Sequence, residues 1–108
     1  MSDLREKTHD GGVDLKRRER EDIRPPRMYR VIILNDDYTP MDFVVQVVST
    51  VFRKPIAEAT RLTLEVHTKG SAVAGVYTHE VAETKVLTTQ ALAESHGYPL
   101  QLTMEPEE

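Results

Sequence analysis

Met28 to Phe43 reads MYRVIILNDDYTPMDF, and it fixes more of the fold than any other stretch of comparable length. A run rich in β-branched residues, RMYRVIIL (Arg27 to Leu34), has the composition of a strand that packs on a sheet. It stops at three consecutive polar side chains, Asn35, Asp36 and Asp37, and Thr39-Pro40 follows at once. Thr39 suits a helix N-cap, Pro40 suits the first helical position, and Asp42 stands three residues after the cap. Val44, Val47, Val48 and Val51 then recur at helical spacing, with Phe43 and Phe52 beside them. Valine favours strands, but the period and the start signal predict a helix from about Pro40 to Phe52.

The rest of the chain is punctuated as clearly. A second helix is predicted from near Pro55 towards His67, with Ile56, Ala59, Thr63 and Val66 on one face and Leu62 and Leu64 widening it. Gly70 supplies its end signal. SAVAGVYT (Ser71 to Thr78) reads as a short strand, and Thr78 is placed to cap a third helix that Gly97 closes. YPLQLTM (Tyr98 to Met104) alternates Leu100, Leu102 and Met104 with polar residues, as a half-buried strand does. The order β-α-α-β-α-β predicts a two-layer α/β domain of the α+β type. Its three-stranded antiparallel sheet would pack against three helices.

Charge divides the chain at Pro26. Residues 1–26 hold seven basic and seven acidic side chains, few large apolar ones, and the breaks Gly11-Gly12 and Pro25-Pro26. They are expected to be a flexible N-terminal extension, leaving 27–108 as the single folded domain. That domain holds seven basic and eleven acidic residues, so it carries the whole net charge of −4. A body this acidic is a poor nucleic-acid binder, since phosphate contacts need clustered Lys and Arg. No apolar run approaches the roughly 20 residues needed to cross a bilayer, and no N-terminal segment resembles a signal peptide. Cysteine is absent, which excludes disulfides and thiolate chemistry and fits a reducing, cytoplasmic setting.

Little in the chain points to catalysis. HExxH, GxxxxGK[ST] and GxGxxG motifs are all missing. The four histidines, His9, His67, His79 and His96, lie in separate settings and suggest no zinc site. No metal or cofactor is expected. The acceptor-rich Asn35-Asp36-Asp37 has two readings. These residues are ordinary turn formers, which bond back to their own backbone. They would equally suit a notch that accepts hydrogen bonds from an ammonium group. His67, near a helix end, is either structural or a third polar member of that notch. Met41, Val44, Thr63, Val66 and Leu100 are either core or the apolar lining beside it.

LNDDYTPMDFV, followed at the right distances by ATRLTLEVHTKG, AGVYTHEVAETKV and HGYPLQLTMEPE, closely resembles the ClpS family over about residues 25–106. These bacterial adaptors deliver N-end-rule substrates to a ClpA-type AAA+ unfoldase and its protease. The resemblance implies a small α/β domain with three antiparallel strands and three helices, and binding without catalysis. It implies recognition of an N-terminal Leu, Phe, Tyr or Trp by a chain that is a monomer when free. Asn35 and His67 would bond the substrate α-amino group, Asp37 would add negative charge there, and Asp36 would help form the wall and the backbone contacts. Met41, Val44, Thr63, Val66 and Leu100 would surround the side-chain pocket. Glu80 and Lys85 would dock on the unfoldase N-terminal domain, and the tail before Pro25 would serve delivery. One position departs from the family pattern: Thr63 stands where Met is common, which implies altered discrimination among first residues.

Two other readings are open. An enzyme would need a catalytic group activated around Asp37 and His67. A pure blocker of the unfoldase would dock through Glu80 and Lys85 and ignore peptide N-termini.

Overall fold

The computed structural model describes residues 25–107. The extension expected over residues 1–26 falls outside them, apart from Pro25 and Pro26. The described residues form β1 (Met28–Leu34), α1 (Met41–Thr50), α2 (Ile56–Lys69), β2 (Ser71–Thr78), α3 (His79–Ser95) and β3 (Gln101–Pro106). This is the predicted order. β1 lies between its two antiparallel partners in a sheet of order β2-β1-β3. At one end of the sheet, Leu34 pairs with both Ser71 and Gln101. Between Val31 and Ile32 the register shifts, because Val31 faces Gly75 while Ile32 faces Val73. Ala74 is therefore the extra residue of a bulge, which bends β2 locally.

The core explains why the valine-rich segment is helical. Phe43, Val44, Val47, Val48 and Phe52 are all buried, as are Val31 and Ile33 from the sheet. Such spacing gathers the apolar side chains of α1 on one stripe, which a period-2 strand would split between two faces. α1 packs along α2, α2 contacts β2, and α3 crosses all three strands. Arg53, with φ of 57°, turns the chain between α1 and α2.

Several expectations need correction. Thr39 is not the cap of α1: Pro40 occupies that place, in an extended conformation and with no side-chain cap bond. The Thr39 hydroxyl donates instead to Asp36 Oδ2 at 2.8 Å. Thr78 does stand at the N-cap of α3, but its side chain makes no capping bond. The buried face of α2 is Ala59, Leu62, Thr63 and Val66. Ile56, 63% exposed, is the first residue of α2, a turn before that face begins. Leu64, 48% exposed, lies about 100° around the helix from Thr63, off the packed stripe. β3 begins at Gln101 rather than Tyr98, so Leu100 enters the core from the preceding loop. α2 also runs two residues beyond His67, to Lys69.

Candidate functional site

The chain leaves β1 at Leu34 and must reach α1 within six residues. Its first step is anchored: the Asn35 amide donates to the Gly70 carbonyl at 2.9 Å. Gly70 adopts φ of 94°, a left-handed conformation that glycine takes readily, and it ends α2 by donating its own amide to the Val66 carbonyl. The strand end and the carboxyl end of α2 are thus tied at one point. His67, in the last turn of α2, is held beside the Asn35 loop for that reason.

Asp36 then freezes the turn. Its Oδ1 accepts from the Tyr38 and Thr39 amides, each at 2.7 Å, and its Oδ2 accepts from the Thr39 hydroxyl. Burial pushes the carboxyl upward, but hydrogen bonds from the Thr39 hydroxyl and the two amides outweigh it. The net effect is a carboxyl held below its usual range. Asp36 is therefore spent on the loop itself, whereas Asn35, Asp37 and His67 are exposed.

Beneath this rim lies a cavity of about 170 Å³. Val44 of α1, Thr63 and Val66 of α2, and Leu100 before β3 line it and are buried; Met41, also lining it, is partly exposed at the first position of α1. Thr63 is only 2% exposed, and its hydroxyl donates to the Ala59 carbonyl one turn back at 2.8 Å. Its donor is thus used within the helix, which leaves side-chain size as the main departure from Met at this position. The cavity is smaller than the roughly 300–1,000 Å³ of sites for drug-sized ligands and suits a single side chain. Asn35, Asp36, Asp37, His67, Met41, Val44, Thr63, Val66 and Leu100 all line it.

Two lining residues were not singled out for the site, Leu34 and Thr39. Leu34 is the strand residue immediately before Asn35, so its place beside the rim follows from adjacency. The sequence suits Thr39 to capping, but its bond to Asp36 turns it into the loop instead.

Glu80 and Lys85 do not join this site. They border a separate shallow depression of about 380 Å³ on α3, with Val81, Glu83 and Thr84. Glu80 is exposed, and the apolar Val81 beside it is 43% exposed. Lys85 is already engaged: Nζ donates to the Val51 carbonyl at the end of α1 at 2.7 Å. The same ammonium stands 5.4 Å from the Tyr77 ring centroid and 6.0 Å from that of Phe52. A cation at a helix carboxyl end is favourably placed against the macrodipole. Among the described residues, no group of three or more His, Asp or Glu is arranged to hold a metal ion. No helix there is long and apolar enough to cross a membrane.

The family profile of ClpS, the ATP-dependent Clp protease adaptor protein, matches residues 24–103. The chain belongs to the ClpS family. It is 48% identical over 93 residues to the ATP-dependent Clp protease adapter protein ClpS of Acetivibrio thermocellus, covering 86% of this chain and 94% of that one. With the protein of the same name from Deinococcus radiodurans it shares 55% identity over 89 residues, which is 82% of this chain and 79% of that one. The fold is similar to that of Agrobacterium tumefaciens ClpS2 bound to L-phenylalaninamide. The TM-score is 0.74 and the identity 42%, over 77% of this chain and all of the other.

Proposed function

We propose that this adaptor recognises proteins by their first residue, when that residue is Leu, Phe, Tyr or Trp, and delivers them to a ClpA-type AAA+ unfoldase. The observation that carries the reading is one cavity with a buried apolar floor beneath a rim of Asn35, Asp37 and His67. The phenylalaninamide held by the Agrobacterium relative supports it, since that ligand pairs a large side chain with a free α-amino group.

The chemistry separates chain ends from chain interiors. A free α-amino group has a pKa near 8 and is mostly an ammonium at neutral pH, with three donors. Asn35 and His67 accept from it, and Asp37 supplies opposing charge directly or through water. An internal residue offers one amide N–H and no charge. Leaving an acceptor unpaired once the bound chain has covered it costs about 1–3 kcal/mol, enough to reject an internal or acetylated residue by roughly tenfold or more. Asp36 acts in the wall, since its oxygens are occupied by Tyr38 and Thr39. Met41, Val44, Thr63, Val66 and Leu100 take up the side chain, and full burial of a large one contributes about 1.5–3 kcal/mol.

The chain acts by binding alone, as a monomer in the cytoplasm, without metal, cofactor, nucleic acid or membrane. Glu80 and Lys85 dock on the unfoldase N-terminal domain, with Lys85 sharing its ammonium between Val51 and the partner. Residues 1–26 serve delivery: removing residues 1–22 leaves peptide affinity intact and impairs hand-over. Degradation of a reporter with an N-terminal Leu by a reconstituted ClpA-type unfoldase and its protease tests the proposal. The full chain accelerates degradation, and a reporter starting with an internal-type acetylated residue is spared. The chain incubated alone with the same substrate leaves it chemically unchanged; cleavage there would make it an enzyme.

A further inference from the structure

Asp37 and Thr39 both line the cavity, yet Tyr38 between them does not. Its side chain stands outside, 79% exposed, the most exposed large apolar side chain among the described residues. The loop beneath it is fixed, since Asp36 Oδ1 holds the Tyr38 amide and both Asp36 oxygens hold Thr39. An exposed aromatic side chain carried on a fixed backbone between two cavity-lining residues is a ready contact for whatever leaves that cavity. We infer that Tyr38 forms a second subsite, which reads residue two of the bound chain and favours Arg there.

The inference rests on the proposed reading of residue one. With residue one in the cavity and its α-amino group on the rim, the chain must leave across the mouth. Residue two begins about 3.8 Å further on, Cα to Cα, within reach of a Tyr38 ring whose backbone neighbours line the cavity. A guanidinium is planar and stacks on an aromatic face, and it is more weakly hydrated than a Lys ammonium. Aliphatic residues gain only apolar contact with the ring, so the order at residue two is Arg above Leu above Ala. Exposed cation–π pairs of this kind are worth about two- to fivefold in affinity.

The test uses the full chain and three ligands: phenylalaninamide, a Phe-Ala peptide and a Phe-Arg peptide of otherwise equal sequence. Wild type, Tyr38→Phe and Tyr38→Ala are titrated against each by calorimetry. The expected result is that phenylalaninamide binds all three proteins alike. The Arg-over-Ala ratio is about two- to fivefold in wild type and in Tyr38→Phe, and falls towards one in Tyr38→Ala. A ratio that survives in Tyr38→Ala overturns the inference, because Asp37 and general charge then explain it. Equal loss of phenylalaninamide binding in Tyr38→Ala also overturns it, because Tyr38 would then act on residue one. Failure of phenylalaninamide to bind wild type strikes the residue-one reading itself, and is distinguishable for that reason.

Discussion

The Asn35 amide donates to the Gly70 carbonyl at 2.9 Å, so two elements 35 residues apart in sequence meet at the mouth of one cavity. The bond continues the β1–β2 pairing one step beyond Leu34 and Ser71, and so holds the end of α2, with His67, beside the Asn35 loop. The bond depends in turn on Gly70, because only the left-handed turn there aims its carbonyl back at β1 while its amide closes α2.

Gly70→Ala therefore tests the junction. A Cβ at Gly70 would meet nothing within 4 Å, so the cost is one of backbone conformation alone. Left-handed backbone costs an ordinary residue about 1–2 kcal/mol, and denaturant unfolding should show a loss of that size. Peptide affinity falls with it, as Asn35 and His67 lose their common anchor. Unchanged stability would mean that the junction tolerates another conformation.

Asp36→Ala should lower stability at pH 7 by an amount typical of lost capping residues, about 0.5–2 kcal/mol. The pH dependence has a definite sign. The folded carboxyl lies below its ordinary value of 3.8, so its contribution is fully present above the unfolded pKa and is lost as pH falls through the lower, folded one. The stability gap between wild type and variant is thus constant from neutral pH down to about 5 and narrows below about 4. Urea titrations at pH 7, 5 and 3 measure this. A gap that widens towards pH 3 would contradict the role given to Asp36.

These two residues also mark where sequence reading succeeds and stops. The element order was legible because Pro40, Pro55, Gly70 and Gly97 punctuate segments whose apolar period is clear, even where valine argued for a strand. The site was less so. Asn35, Asp36 and Asp37 read equally well as turn formers, and only their resemblance to a family motif gave them separate roles. Thr39 was misplaced because a hydroxyl beside Pro40 can cap a helix or bond back to Asp36, and the sequence looks the same either way. The burial of Ile56 and Leu64 depended on how far the neighbouring elements reach along α2. Lys85 bonding to Val51 links residues 34 apart, which no local pattern announces.

Asp37→Ala is expected to weaken binding of an N-terminal Phe peptide by about tenfold. That is the scale of one charge-assisted contact, reduced by exposure. The side chain is exposed, so circular dichroism should be unchanged. Fluorescence polarisation with wild-type affinity would remove Asp37 from the rim's function.

Thr63→Met fills part of the 170 Å³ cavity from its buried wall. Peptides differing only at residue one should shift their order, with Trp losing at least about threefold relative to Leu. Identical profiles for the two proteins would show that position 63 does not set selectivity.

The central claim is that the rim reads a free α-ammonium. Fluorescence polarisation on the full chain with one Phe-initiated peptide, free and Nα-acetylated, tests it most directly. Acetylation should weaken binding by roughly tenfold or more at pH 7. The affinity of the free peptide should also decline as pH rises through about 8, where the ammonium loses its proton. Equal binding of the free and acetylated peptides would contradict it.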